Sequence, residues 1–202
     1  MKTLEQKNAL LRDGDNGPLL DVFDEKLFEF GSDIIRKRQD FIRDLNDILK
    51  EKNRDISGND EVLSCSYEPD TEIEGFEKSL KEKREYDIRH GSTSVGPHRD
   101  DIRFTLNDTD LRKYGSQGQV RTASLSVKLS EIELVKKRTG DDPILMLDDV
   151  LSELDSKRQK LLLNSFGNIQ TLITCTGLDE FIKNGFSGDS IYYVENGKVE
   201  KE

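Results

Sequence analysis

The stretch "PILMLDDVLSELD", residues 143–155, decides the fold class of this 202-residue chain. Its apolar run, 144–147, lies between a proline and two aspartates, and such runs are typical of a strand that is buried on both faces of a parallel sheet. A helix is predicted from about Glu153 to Ser165, and "IQTLITCTG" at 169–177 predicts a second buried strand. Strand, helix and strand in this order indicate an α/β unit with a crossover connection.

Two adjacent carboxylates, Asp148 and Asp149, come at the predicted C-terminal end of the first strand. Ligands of open α/β sheets bind at that edge, and neighbouring strand residues point to opposite sides. One carboxylate can therefore hold Mg²⁺ while the other faces a water or a phosphate; a strand that ends in a polar turn is the alternative. Ser152 is predicted to cap the next helix, with Asp155 reaching back as in a capping box, although a functional loop predicts the same residues.

A second polar cluster, "SQGQ" at 116–119, comes directly before a long helical pattern that continues to Lys137. Ser116 and Gln119 have the spacing of a capping box. Gly118 removes side-chain bulk at a helix end that carries unpaired N–H groups and the positive end of the helix dipole, so a phosphate could approach it closely. Taken alone, the cluster is interpreted as a helix cap.

Residues 1–140 are predicted to form a lobe with a helical arm that ends in the "SQGQ" helix, and residues 141–202 to form an α/β lobe. Apolar residues between Leu20 and Leu49 recur at three- and four-residue steps, which predicts one helix or two helices broken near Gly31. A strand at 62–67, a charged helix that stops near Gly91 and a β-hairpin near 101–114 follow. "SIYYVENGKVEKE" at 190–202 predicts a closing hairpin with "NG" at its turn.

The composition limits the classes of function. The formal charge is −10, from 31 basic and 41 acidic residues, so a contact with DNA needs a local basic patch. Lys113 and Arg121, which flank "SQGQ", are the candidates for such a contact. Cys65 and Cys175, with two histidines in the chain, indicate reduced thiols rather than a disulfide framework or a zinc site. No apolar run could span a bilayer and no signal-peptide core is present, which predicts a cytoplasmic protein without a membrane partner.

Together these motifs resemble the RecF family of SMC-like ABC ATPases, which act in bacterial recombinational DNA repair. A serine cap with a glycine, a buried strand that ends in two aspartates and then "SELD" follow the order of signature loop, Walker B strand and D-loop in ABC-type heads. "GSTSVGPHRDDIRF" (91–104), "YGSQGQVRTASLSVKLSEIEL" (114–134) and "PILMLDDVLSELDSKRQKLL" (143–162) are similar to RecF sequences, as are "LEQKNALL" near the start and "TLITCTG" near the end. The resemblance covers essentially the whole chain. It implies an α/β fold, the C-terminal portion of an ABC/SMC-like ATPase head with a helical arm lobe and a partial parallel sheet.

The resemblance also implies roles for the polar residues. Asp148 would bind Mg²⁺ as the Walker B ligand, directly or through water. Asp149 would stand where most ABC enzymes use Glu to polarise the attacking water, which implies slow hydrolysis. The signature residues would contact the γ-phosphate of ATP held by the opposite subunit, and the D-loop residues would touch the dimer seam: Ser116, Gln117, Gly118 and Gln119 for the former, Ser152 and Asp155 for the latter.

ATP would thus join two heads into a homodimer that grips double-stranded DNA near a single-strand gap. The family, with RecR and RecO, then helps to load RecA onto DNA coated by single-strand-binding protein. Two alternatives stay open: a module that docks RecR or another chain without chemistry of its own, and a different SMC-like or ABC head with a role outside DNA. In "GPHRDD" (96–101), His98 and Arg99 either contact a phosphate or, as we favour, belong to a structural lock through Asp100 and Asp101.

Two departures from the family pattern matter. The sequence holds no G-x-x-x-x-G-K-[ST] motif, whereas RecF proteins carry this phosphate-cradling P-loop near the N-terminus. The chain is therefore expected to be a C-terminal portion of such a protein, truncated or from a fragmentary gene. It is expected to show no ATPase activity alone and to leave a strand edge unpaired. "TLITCTG" has no histidine at the switch position, and Thr174, Cys175 and Thr176 stay open as substitutes.

Overall fold

The computed structural model describes residues 2–14, 17–167, 169–176 and 190–201. The helices in these ranges are α1 (Lys2–Arg12), α2 (Leu19–Ser57), α3 (Ile73–His90), α4 (Leu111–Tyr114), α5 (Gln117–Thr139) and α6 (Ser156–Ser165). The strands are β1 (Leu63–Glu68), β2 (Asp101–Leu106), β3 (Thr109–Asp110), β4 (Leu145–Asp148), β5 (Thr171–Thr174), β6 (Tyr192–Glu195) and β7 (Lys198–Lys201). A 3₁₀ turn, Val150–Glu153, lies between β4 and α6.

The arm is built on α2, a continuous helix of 39 residues that is roughly 58 Å long at 1.5 Å per residue. It runs through Gly31, so the apolar periodicity belongs to one helix rather than two. The helix ends at Gly58, which adopts the left-handed conformation that glycine tolerates best. Its buried apolar residues recur at helical spacing and pack on the other elements: Leu20, Ile35, Ile42, Leu45, Ile48, Leu49 and Ile56.

A buried cluster of charged side chains holds α1 against α2 and α3. Lys7 of α1 is fully buried, and its Nζ lies 2.6 Å from Asp24 Oδ1 and 3.7 Å from Asp87 Oδ2. Arg84 brings a second cation to within 2.5 Å of Asp24. Charges that are removed from water are tolerated only when they neutralise one another. The cluster therefore fixes the position of α1 on the arm.

Gly31 lies where α2 packs directly on α3. A Cβ atom at this position would clash with Phe76 Cε1 and lie 2.9 Å from its Cζ. The Phe76 ring is buried with Ile35, Leu80 and Val95, and close packing of such a cluster resists its displacement. Glycine is thus required at residue 31 by the neighbouring ring and not by the backbone conformation.

We expect Gly31→Val to lower the free energy of unfolding by about 1–3 kcal/mol, as overpacked cores do. The matched control is Gly75→Ala in α3, where the nearest atom to an added Cβ is Thr71 Oγ1 at 3.8 Å. That change should raise stability by about 0.5–1 kcal/mol, because alanine costs less than glycine inside a helix. Urea unfolding followed by circular dichroism measures both, and a neutral Gly31→Val would contradict the packing argument.

The sheet of the arm lobe has the strand order β1-β2-β3. β1 pairs antiparallel with β2 along its whole length, from Leu63 opposite Leu106 to Glu68 opposite Asp101. α2 packs on this sheet, and Asn46 bonds both the N–H of Cys65 at 2.9 Å and its C=O at 2.6 Å. The predicted strand at 62–67 and the charged helix that stops at Gly91 are confirmed.

The hairpin predicted over 101–114 is shorter than expected. Asn107 and Asp108 form its turn with φ of 48° and 62°, and β3 has two residues. The hairpin and its turn lie where they were predicted, but the second strand ends at Asp110 and residues 111–114 form the short helix α4. The reason is Asp110, whose carboxylate accepts from the backbone N–H groups of Arg112 and Lys113 and so caps a helical turn.

α5 runs antiparallel along α2. Ser126 Oγ lies 3.2 Å from Asn53 Oδ1, whereas Arg138, twelve positions further along α5, pairs with Asp44 at 2.6 Å. The two helices share a core with the sheet, in which Ile42, Leu45, Leu49, Leu63, Cys65, Leu106, Leu111 and Ala123 are buried together. The start of α5 is thereby fixed by packing along the whole helix.

The C-terminal part contains the predicted α/β unit. β4 and β5 are parallel neighbours, with Leu145 opposite Thr171 and Asp148 opposite Thr174, and α6 connects them. α6 begins at Ser156, three residues later than predicted, because the 3₁₀ turn precedes it. One face of this two-stranded sheet packs on α2, α5 and α6 through Ile56, Leu125, Leu129, Leu145, Leu147, Leu151, Leu162 and Phe166.

The other face of the β4–β5 sheet is open, so the expectation of burial on both faces is wrong. Met146 is 74% exposed, Ile144 59% and Leu172 52%. In the described ranges no helix lies over this face, which is the physical reason for the exposure. Parallel sheets are ordinarily covered on both sides, so this apolar face is suited to further structure.

Three smaller predictions can be compared with the structure. β6 and β7 form the predicted closing hairpin, with Asn196 and Gly197 at the turn, both at positive φ. Cys65 and Cys175 are free thiols, and burial raises the pKa of Cys65 to about 11. None of the helices in the described ranges combines the length and apolar character needed to cross a membrane.

Candidate functional site

The N-terminus of α5 carries the predicted capping box. The Ser116 hydroxyl oxygen accepts from the Gln119 N–H at 3.3 Å, and the Gln119 side-chain oxygen accepts from the Ser116 N–H at 3.0 Å. The amide nitrogen of Gln119 then donates to Glu61 at 3.0 Å. The cap interpretation is confirmed, and the Gln119 side chain is engaged within the chain on both of its polar atoms.

Ser116 and Gln117 are exposed, and Gly118 is half-buried. The N–H groups of the first helical turn have no partner inside a helix and point along its axis. The Ser116 hydroxyl accepts one bond from Gln119 and keeps its own proton for a donor role. This end of α5 therefore presents N–H and O–H donors, together with the positive end of a helix of 23 residues.

The carboxylate pair lies at the end of β4, next to the end of β5. Asp148 and Asp149 are both exposed, and Asp149 adopts a left-handed conformation with φ of 51°. The Thr174 hydroxyl donates to Asp148 Oδ1, while the Asp149 N–H donates to Thr174 O at 3.0 Å and reaches Thr174 Oγ1 at 3.1 Å. Among the three residues left open for the switch position, Thr174 contacts both aspartates.

The oxygen donors at this edge suit Mg²⁺, which prefers one or two carboxylates and completes its coordination with waters and phosphate oxygens. The described residues contain no group of three or more His, Cys, Asp or Glu side chains that could hold a metal alone. Asp148 and Asp149 are two exposed carboxylates whose other coordination partners would have to come from outside this group. They do not form a closed structural metal site.

The D-loop prediction needs one correction. Ser152 does not cap α6, because the chain forms a 3₁₀ turn at this point and the Ser152 hydroxyl donates to the Asp149 carbonyl at 2.8 Å. Asp155 is the cap instead, and its carboxylate accepts from the N–H groups of Lys157 at 3.1 Å and Arg158 at 3.0 Å. The backbone bond from Arg158 is the main cause that lowers the pKa of Asp155.

Arg158 connects the predicted D-loop segment to the predicted signature segment. Its Nη1 donates to Asp155 Oδ2 at 2.8 Å, and the same guanidinium covers Gly118, where a Cβ atom would lie 3.4 Å from Nη1. Gly118 thus leaves room for the Arg158 guanidinium. The two segments predicted from separate motifs are brought together by this side chain.

Sequence reasoning missed two residues of the site and left a third, Thr174, open among three candidates. Aligning "TLIT" with "LMLD" as parallel strands places Thr174 beside Asp148. Arg158 and Glu61 gave no local signal, because their contacts with Gly118 and Gln119 join residues distant in the chain.

The remaining candidates differ in exposure and in hydrogen bonding. Lys113 and Arg121 are exposed on either side of the "SQGQ" segment. The side chain of Asp100 is 2% exposed and accepts from Arg38 at 2.7 Å, from the Asp70 N–H at 2.9 Å and from the Tyr67 hydroxyl. Burial, followed by the bond to Asp100, raises the pKa of Tyr67 to about 12. These contacts support the structural interpretation of "GPHRDD".

Comparisons with known proteins agree with the motifs. No family model matches the chain. The "DNA replication and repair protein RecF" of Agathobacter rectalis is 50% identical over 203 residues, which cover 98% of this chain and 56% of that protein. RecF of Lachnoclostridium phytofermentans is 51% identical over 204 residues, covering 99% and 57%. The chain spans a little over half the length of these curated relatives.

The solved "Structure of the recombination mediator protein RecF-ATP in RecFOR pathway" has a TM-score of 0.84 and 35% identity, and the match covers 100% of this chain and 56% of that chain. The fold accordingly defines the class of the protein, a portion of an ABC/SMC-like ATPase head with a helical arm lobe and a partial parallel sheet. Within that class, the chain belongs to the RecF family.

Proposed function

We propose that this chain supplies the signature loop, the Walker B carboxylates and the D-loop of an ATP-dependent, dimerising DNA-repair protein. The observation that carries the proposal is the exposed donor end of α5, where the Ser116 cap leaves N–H and O–H donors free, in one chain with the exposed carboxylate pair of β4. The first suits a phosphate and the second suits Mg²⁺. The resemblance to a RecF–ATP structure supports ATP as the nucleotide.

Each group has a distinct part in hydrolysis. Asp148, fixed by the Thr174 hydroxyl, would hold Mg²⁺, which neutralises phosphate charge when bound. Asp149 would orient and deprotonate the attacking water, and its side chain is one methylene shorter than the glutamate used by most ABC enzymes, which fits a slow reaction. The Ser116 hydroxyl and the N–H groups of Gln117 and Gly118 would bind the γ-phosphate of a nucleotide on the opposite subunit.

The biological role follows from the family. ATP bound between two heads would close a homodimer on double-stranded DNA near a single-strand gap, with Lys113 and Arg121 as candidate contacts to the phosphate backbone. RecR and RecO would join this complex, in the cytoplasm, to load RecA. The identity of 41–51% to proteins named for DNA replication and repair supports this role over a head with a role outside DNA.

A reconstitution experiment tests the proposal. This chain alone is expected to show no magnesium-dependent ATPase, because its sequence has no P-loop. Addition of the P-loop portion of a relative, such as the part of the Agathobacter rectalis protein outside the match, is expected to restore turnover. The open face at Ile144, Met146 and Leu172 is where we expect the added portion to pack.

Two outcomes would contradict the proposal. ATP turnover by this chain alone, if Asp149→Asn abolished it, would show that the nucleotide site is complete without a P-loop. Binding of the added portion without any turnover would favour the alternative, a partner-binding module with no chemistry of its own. A P-loop portion with its lysine replaced is the control for contaminating ATPases.

A further inference from the structure

We infer that the groove between β2 and α5 is a docking site for an extended, acidic peptide segment of a partner protein, which adds as a strand to the edge of β2. The groove has a volume of ≈ 490 Å³. Its floor is apolar, formed by Ile102, Phe104, Val120, Ala123 and Val127. This inference concerns a surface outside the nucleotide site and does not depend on the proposed function.

The edge of β2 is open along this groove. β3 pairs only with Thr105 and Leu106, and in the described part of the chain no other strand lies beside Asp101–Phe104 on that side. Since Asn46 occupies both backbone groups of Cys65, the pair of Cys65 and Phe104 exchanges no bonds. By the alternation of antiparallel ladders, Ile102 and Phe104 direct their backbone groups away from β1, toward the groove.

The Ile102 N–H donates to the Asp101 carboxylate at 2.8 Å and not to a carbonyl of a neighbouring strand. Exposed strand edges are templates for the addition of another strand, in which main-chain bonds give affinity and side-chain pockets give specificity. Alternate side chains of an added strand would face the apolar floor.

The rim has one basic residue more than acidic ones, and this balance favours an acidic occupant. Four basic residues line the groove, Arg103, Arg112, Lys113 and Lys128, against three acidic ones, Glu68, Asp101 and Asp110. The chain as a whole has the opposite balance, 31 basic and 41 acidic residues. Each of these carboxylates already accepts a bond from a groove residue: Glu68 from Arg103, Asp101 from Arg112 and Asp110 from the Arg112 N–H. Each arginine has five N–H donors, so these pairs leave donors for a carboxylate of the partner.

The shape favours a peptide over a compact ligand or a nucleic acid. A second groove of ≈ 720 Å³ shares Asp101, Ile102, Phe104 and Arg112 with the first and continues along α2. The two grooves therefore adjoin each other at this stretch of β2. Apolar side chains of a peptide would be buried on the apolar floor, whereas a phosphate backbone would contact only the basic rim. Val120 directly follows "SQGQ", so an occupant would contact the helix that carries the signature loop.

Selection of short random peptides displayed on phage against the purified chain tests this inference. We expect enriched sequences in which apolar and acidic residues alternate. Val120→Asp should weaken binding of the synthesised peptide at least about tenfold, or about 1.4 kcal/mol, because it places an unpaired charge on the apolar floor. Ser124→Trp, which fills the groove from an exposed position, should do the same without removing a core contact.

Val135→Asp is the matched control, because Val120 and Val135 lie on the same helix, are each 46% exposed, and only Val120 lines the groove. It should leave peptide affinity unchanged, and thermal melts confirm that all three variants fold. The inference is overturned if no peptide is enriched, if basic peptides are enriched, or if Val135→Asp weakens binding equally. A short DNA duplex that displaces the peptide and loses binding in Val120→Asp would show a nucleic-acid surface instead.

Discussion

Replacing Lys7 with methionine is expected to destabilise the fold by about 3–5 kcal/mol, the cost of leaving a buried charge without its partner. Methionine has nearly the volume of lysine, so the loss reports charge and not a cavity. Asp87 is fully buried, and Lys7 is the cation recorded beside it at 3.7 Å; its other oxygen accepts from the Ser94 N–H at 3.0 Å. In this variant Asp24 still has Arg84 as its partner, so most of the loss in free energy of unfolding comes from the unpaired Asp87.

Urea unfolding measures this effect, with Lys2→Met as the control, because Lys2 is exposed on the same helix. A double variant, Lys7→Met with Asp87→Asn, should be more stable than Lys7→Met alone, since it removes the uncompensated charge. If the double variant were the less stable of the two, the cluster would act through hydrogen bonds and not through charge neutralisation.

In heads rebuilt with a P-loop portion, Asp149→Asn and Ser116→Arg are each expected to lower ATP turnover at least about 100-fold. The first removes the base for the attacking water, and the second fills the phosphate-binding end of α5. A mixture of the two variants is expected to recover about one quarter of the unmodified activity. If the two groups that form a site come from different subunits of a symmetric dimer, each mixed dimer has one intact site out of two. Half of the randomly formed dimers are mixed, which gives about one quarter of the activity.

The recovery in the mixture decides whether the signature loop acts across the dimer. Activity in the mixture no higher than the mean of the two variants would place both groups in the same site of one subunit. Val135→Asp, which lies further along α5, is the control variant for Ser116→Arg and should leave turnover unchanged. Nucleotide binding measured separately shows whether Asp149→Asn affects the chemical step alone.

Much of the candidate site was predictable because its residues occupy ends of elements that short motifs specify. Ser116 and Gln119 are three residues apart in the sequence, and the capping box they form is local. Asp148 and Asp149 end an apolar run, so their place at the edge of a sheet followed from the strand assignment. In the sequence, Ser152 and Asp155 were equally good candidates for the cap of α6. Ser152 lies in the 3₁₀ turn, so Asp155 is the residue that caps the helix.

The sequence by itself determined the α/β class, the Ser116 cap of α5, the order of the polar motifs along the chain and the helical character of the arm, but not whether the arm is one helix or two. Each of these depends on periodicity or spacing within a few turns of chain. Only the tertiary structure decided what joins distant segments: the guanidinium of Arg158 over Gly118, the Thr174 hydroxyl on Asp148, the buried cation of Lys7 between two aspartates, and the open edge of β2. The physical reason is that these contacts depend on packing between elements, whose partners no local pattern of residues specifies.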